Sequence, residues 1–118
     1  MVSRVNSLGL LGMDAFPVEV ETSLSNGMPA FDMVGLPDTA VKESRERVRS
    51  AMKNCGFSFP AIRIVTNLAP ADIKKEGPIY DLPILVSLLQ ATGGLPSPLD
   101  NCAFIGELSL SGMVRPVR

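Results

Sequence analysis

The chain has 118 residues, 46% of them apolar and 19% charged, with a net charge of −1. That length and balance fit one folded domain and exclude the apolar-poor, highly charged composition of a disordered chain. No run approaches the ~18 apolar residues of a membrane-spanning helix, and residues 1–11 lack the basic start and continuous apolar stretch of a secretion leader. The expectation is a cytoplasmic protein with no membrane partner.

Residues 17–24 alternate, with Val18, Val20, Thr22 and Leu24 on one side and Glu19, Glu21 and Ser23 on the other, the period of a half-buried strand. Asn26-Gly27 follows, a dipeptide suited to the positive φ of a tight hairpin turn, so residues 28–34 are expected to return as a strand against 17–24. Pro29 sits near its start, where a missing N–H is tolerated at an edge.

Gly35-Leu36-Pro37-Asp38 ends that strand and offers Asp38 as the N-cap of a helix over Thr39–Asn54, closed by Gly56. Its inward stripe is Val41, Ser44, Val48, Ala51, Met52 and Cys55. Glu43 with Arg47, and Lys42 with Glu46, are spaced as i,i+4 ion pairs. A strand over residues 61–67 ends at Leu68-Ala69-Pro70, and residues 71–80 read as a polar loop. A second, buried helix starts with Asp81 as N-cap and Pro83 in its first turn and runs through Ile84 to Leu89. Gly93-Gly94, Pro96 and Pro98 break it. Residues 103–110 and 113–117 then form a hairpin about Ser111-Gly112.

This order predicts a single α+β domain over residues 1–118 with a mixed sheet and two helices. The last strand reaches Arg118 with no polar tail, as though a longer protein continued beyond it. The two thiols, Cys55 and Cys102, are expected to be small buried hydrophobes rather than a disulfide.

The chain has no histidine, which excludes Ser-His-Asp and Cys-His catalysis and imidazole metal ligands within it. It has no Gly-Lys dipeptide, so the phosphate-cradling loop of nucleotide-binding ATPases is missing. Asp14, Glu19, Glu21 and Asp32 read as solvated strand and turn residues. Charge is unevenly placed: residues 1–38 are acidic, whereas 42–75 gather Lys42, Arg45, Arg47, Arg49, Lys53, Arg63, Lys74 and Lys75. On the first helix Lys42, Arg45, Arg49 and Lys53 follow 3-4-4 spacing and share one face beside the apolar stripe. Such a row either holds phosphates or is a solvated flank balanced by Glu43 and Glu46. The Gly77-Pro78 turn leads into a helix start, a place that attracts anions, yet Ile79 and Tyr80 offer no nucleophile there. It is read as a rigid turn that orients the second helix.

Four ordered motifs carry a family resemblance: Ser25-Asn26-Gly27-Met28-Pro29-Ala30-Phe31 through Val34-Gly35-Leu36-Pro37-Asp38; Glu43-Ser44-Arg45-Glu46-Arg47-Val48-Arg49; Asn67-Leu68-Ala69-Pro70-Ala71-Asp72 through Pro83; and Gly106-Glu107-Leu108-Ser109-Leu110, continuing to Arg115-Pro116-Val117. Together they resemble the amino-terminal domain of the magnesium-chelatase-like, ChlI-related ComM/YifB family of AAA+ ATPases. The resemblance implies a ribosomal protein S5 domain 2-type, Lon-protease-like fold. It also implies a parent whose AAA+ module follows this domain, binds ATP and Mg²⁺, assembles as a homo-hexamer and drives branch migration of DNA in natural transformation. Lon-type peptidases carry a serine after a comparable Gly-Pro, where this chain has Ile79. No catalytic residue, cofactor or metal site is therefore expected in the chain itself. Lys42, Arg45, Arg49 and Lys53 are the candidate DNA contacts, and the alternative is an assembly module that never touches nucleic acid.

Overall fold

A computed structural model describes residues 2–11, 14–93 and 102–115. The chain forms strands β1 (Val2–Leu11), β2 (Asp14–Ser25) and β3 (Ala30–Val34), helix α1 (Thr39–Asn54), strand β4 (Arg63–Ala69), a short 3-10 turn (Pro78–Tyr80) and helix α2 (Asp81–Ala91). Two short strands, β5 (Glu107–Leu108) and β6 (Val114–Arg115), pair antiparallel as the expected second hairpin, much shortened. This is the α+β arrangement of a mixed four-stranded sheet and two helices. The expected breaker residues Gly94, Pro96 and Pro98, and the strand end at Pro116 and Val117, lie outside the described residues.

The strand order corrects the sequence reading. The sheet runs β1-β2-β4-β3, so β4 lies between the two strands that Asn26-Gly27 was expected to join. β4 runs antiparallel to β2, from Glu19 opposite Ala69 to Ser25 opposite Arg63, and parallel to β3, from Ala30 opposite Arg63 to Val34 opposite Asn67. Gly27 takes φ +149°, outside the tight-turn region, and carries the chain past the start of β4. The cause is α1. Its apolar face needs a floor, and a β3-α1-β4 crossover lays the helix over a parallel pair, which a local hairpin does not do.

β1 was not anticipated. It pairs along its length with β2, from Val2 opposite Ser23 to Leu11 opposite Asp14. Its inward residues are Val5, Ser7 and Gly9, while Leu8 and Leu10 face out, so it lacks apolar alternation. Gly9 is needed there because a Cβ would collide with the Phe16 ring and the Tyr80 hydroxyl.

α1 forms over the expected residues, and the reason is local. Asp38 stands in extended conformation and its Oδ1 accepts from the Val41 amide at 2.7 Å, while Gly56 at φ +86° lets the chain leave the last turn. Val41, Ser44, Val48, Ala51 and Met52 are buried as the stripe requires, but Cys55 is exposed. It is the C-cap residue and faces the second hairpin, its Sγ 3.7 Å from the Ser111 carbonyl. Cys102 is exposed as well, so neither thiol is the buried hydrophobe expected.

Asp81 is not the N-cap of α2. It lies inside the first turn after the 3-10 segment and is fully buried. One carboxylate oxygen accepts from the Ser44 hydroxyl and the other from the Leu108 amide at 3.0 Å, while Arg47 donates to both, Nε at 2.5 Å and Nη2 at 3.1 Å. Arg47 thus turns from Glu43, its sequence neighbour, to a carboxylate 34 residues away. That pairing fastens α1, α2 and β5 together, and it raises the guanidinium pKa, first through the hydrogen bond to Asp81.

The core joins Val18, Val20, Ile64 and Leu68 of the sheet with Val41, Val48, Met52, Ile84 and Leu88 of the helices. Within it Thr22 Oγ1 meets Thr66 Oγ1 at 3.1 Å and Ser87 Oγ at 2.6 Å, and Ser87 donates on to the Ile84 carbonyl at 2.9 Å. This satisfied hydroxyl chain seats α2 on the sheet.

Tyr80, the one tyrosine in the chain, is 1% exposed. Burial, and then the Asp38 carboxylate, push its phenol up to about 12 from 10.0. A raised folded-state pKa means its stabilisation is complete below pH 10 and is lost as pH climbs from 10 towards 12. The shift corresponds to about 2–3 kcal/mol. Tyr80→Phe should abolish this part of the alkaline loss in urea melts taken across that window. An unchanged slope would show that the phenol ionises alike in the folded and unfolded chains.

Candidate nucleic-acid interface

The four cations of the candidate row stand on one flank of α1, but the fold uses them differently. Lys42 and Lys53 are exposed, and among the described residues neither ammonium group has a hydrogen-bond or ion-pair partner. Arg45 is half-buried and bent toward the sheet: Nε donates to the Lys42 carbonyl at 3.0 Å and Nη1 to the Phe31 carbonyl at 3.2 Å. It braces α1 against β3 and is the least available of the four.

Arg49 is held by a side chain that the sequence reading passed over. Its guanidinium carbon lies 5.0 Å from the centroid of Phe59, and Phe59 in turn leans on buried Phe31, with ring centroids 5.7 Å apart and planes tilted by 39°. The layers Phe31, Phe59 and Arg49 fix a flexible cation in place. Glu46 approaches Arg49 at 3.5 Å, an i,i+3 contact in solvent that contributes little. Among the described residues the Arg49 side chain makes no hydrogen bond, and its one ion-pair contact is this solvent-exposed one through Nη1.

Arg49 and Lys53 line an open groove of about 290 Å³ with Pro29, Ala30, Phe59, Pro60, Ala61 and Ile62. The row therefore divides: Arg49 and Lys53 share the groove, Lys42 stands about two turns before Arg49, and Arg45 is tied into the fold. Phe59 follows the helix in a Ser-Phe-Pro loop without periodicity. An aromatic next to the end of a basic helix was the one signal that pointed to it.

The 71–80 segment is more built than a polar loop. Lys75 is fully buried, its ammonium donating to the carbonyls of Gly35, at 3.0 Å, and Pro70. Its backbone bridges the β3–α1 turn through Lys75 N to Leu36 O and Asp38 N to Lys75 O, both at 3.0 Å. Asp38 Oδ2 also accepts from the Gly77 amide at 3.1 Å, so one carboxylate caps α1 and holds the Gly-Pro turn. Burial lowers the Lys75 pKa. Ile79, which follows the Gly-Pro turn, packs against the core. Beside it a cavity of about 260 Å³ is lined by Leu10, Lys74, Glu76, Gly77, Pro78 and Tyr80. The acidic residues of the early strands are surface groups, as expected: Glu21 accepts from Arg4 at 2.9 Å and from Asn67 at 3.1 Å on the sheet face away from the helices. No helix among the described residues is long and apolar enough to cross a membrane.

Residues 20–118 match the family described as subunit ChlI of Mg-chelatase. The chain is 52% identical over 114 residues, 96% of its length, to the uncharacterized protein YifB of Salmonella typhimurium, and 48% identical over 114 residues to the competence protein ComM of Haemophilus influenzae. It covers 22% of each of those proteins. A shorter match, 39% identical over 66 residues and 14% of the relative, is to the DNA repair protein RadA of Treponema pallidum. With a family match across most of the chain and near-full coverage by YifB and ComM, the chain belongs to the ChlI-related ComM/YifB family.

Proposed function

We propose that this chain is the non-catalytic amino-terminal domain of a cytoplasmic magnesium-chelatase-like AAA+ ATPase that processes DNA, and that it helps the assembled enzyme hold the DNA backbone. In this reading its fold is the Lon-like, ribosomal protein S5 domain 2 type, and its parent is a homo-hexamer whose AAA+ module binds ATP and Mg²⁺. The observation that carries it is the α1 flank: among the described residues the Lys42 and Lys53 ammonium groups have no partner, and Arg49, fixed on Phe59, makes no side-chain hydrogen bond. Cations so arranged suit sequence-independent phosphate contact. The names of two relatives, a competence protein and a DNA repair protein, point the same way. Ile79 in place of a nucleophile, and the absence of histidine, support a non-catalytic role.

The test is Lys42→Glu with Lys53→Glu in the intact protein. DNA affinity should fall for every sequence, and the slope of log affinity against log salt should become shallower by about two, one for each lost phosphate contact. Thermal stability should stay within about 0.5 kcal/mol, because both residues are exposed. Arg45 and Arg49 are poorer choices, since reversing either also disturbs the fold. Full affinity with an unchanged slope would sink the proposal. The second reading, an assembly module without nucleic-acid contact, would then stand on Leu110, Met113 and Val114, all exposed about the β5–β6 hairpin.

A further inference from the structure

The groove beside Arg49 differs from the rest of the flank in having apolar walls. A surface meant only for phosphates needs charge, and Lys42 supplies that in open solvent. Here the two cations share the groove lining with Pro29, Phe59, Pro60 and Ile62, and the volume of about 290 Å³ falls just under the usual size of ligand sites, roughly 300–1,000 Å³. The space suits one planar group with an attached anion.

We infer that this groove takes a single nucleotide of an unpaired strand, its base laid on the Arg49 guanidinium and its phosphate at Lys53. The inference deepens the DNA reading above and rests on it. Three features argue for it. The Arg49 guanidinium carbon lies over the Phe59 ring and Phe59 leans on Phe31, so the cation is positioned before any ligand arrives and costs little ordering on binding. Among the described residues the Arg49 side chain makes no hydrogen bond and the Lys53 ammonium group has no partner. In a duplex each base face is already covered by its neighbours, so a duplex brings only phosphates to this place, whereas an unpaired base has a free face to stack. Every base has such a face, so sequence preference should be weak. Among the described residues Glu46 is the one acidic group paired with Arg49, and it sits in solvent outside the residues that line the groove.

The experiment compares a fluorescently labelled mixed-sequence single strand with its own duplex, binding to the intact protein. Arg49→Lys keeps the charge and removes the planar fork. Single-strand affinity should fall about tenfold, the loss of one stacked base, while duplex affinity changes less than about twofold, since the phosphate attraction is kept. Phe59→Ala should reproduce the loss by removing the support. Should that variant melt early, Arg49→Lys decides alone. Equal losses on both DNA forms, or no loss on the single strand, overturn the inference. If Lys42→Glu with Lys53→Glu weakens binding while Arg49→Lys leaves the single-strand to duplex ratio unaltered, the DNA reading stands and this one falls. A labelled acidic peptide bound more tightly than either DNA form, and released equally by both tests, would assign the groove to a protein partner and overturn it too.

Discussion

Asp81→Ala should destabilise the domain by about 3–5 kcal/mol, the cost of breaking a buried ion pair by removing one partner. The carboxylate is fully buried and serves Arg47, Ser44 and the Leu108 amide together. Alanine therefore leaves a half-buried guanidinium, a buried hydroxyl and a buried amide without their acceptor. Against a total of roughly 5–15 kcal/mol for a domain of this size, such a loss moves the urea midpoint far or unfolds the chain at ambient temperature. Arg47→Ala should be costly as well. Adding it to Asp81→Ala should cost much less than the sum of the two, because the second change also removes the stranded charge. A strictly additive pair, or an Asp81→Ala loss under about 1 kcal/mol, would show that the clamp does not hold the helices together.

The second large effect is expected at Lys75. Lys75→Met keeps most of the stem and removes the ammonium, so the Gly35 and Pro70 carbonyls lose a buried donor. At about 1–3 kcal/mol for an unsatisfied buried group, a loss of roughly 2–4 kcal/mol is expected. The pH dependence separates this from a packing defect. Burial lowers the folded-state pKa below the ordinary 10.5, so between those two values the unfolded chain binds more protons and stability rises with pH. Lys75→Met should remove that rise. Tyr80 contributes a fall that begins near pH 10, so the two substitutions should bend the alkaline profile in opposite directions. A profile unchanged by Lys75→Met would mean that the ammonium sits in solvent.

How far the sequence reached depended on the range of each signal. α1 was legible to the residue because Asp38 and Gly56 act on their immediate neighbours. β1 was illegible because the side it buries is Val5, Ser7 and Gly9 while leucines face outward, reversing the usual pattern. Asn26-Gly27 announced a change of direction and nothing about which strand would lie alongside; that choice belongs to α1 and its need for a floor. The i,i+4 rule paired Arg47 with Glu43, a contact in solvent, and lost to a buried carboxylate that only the fold brings near. At the candidate site the helical row was half of the answer. Spacing put four cations on one face, but which of them stayed available was set by Phe31 and Phe59, which reach the row through the core and from a loop.

The position of β4 also sets a timetable. While the chain is being made, β1 and β2 are adjacent in sequence and can zip as soon as both are present, and the backbone hydrogen bonds within α1 are all local. β3 has no native strand partner until residues 63–69 arrive, because its neighbour in the sheet is the strand that comes after the helix. One late segment therefore completes both inner pairings at once, and the loop-closure entropy for the two is met in a single step. Until then the sheet remains a two-stranded ribbon with an open edge, and the groove beside Arg49 lacks the wall that residues 59–62 provide. The groove proposed to take a nucleotide thus comes into being only with the closing of the sheet.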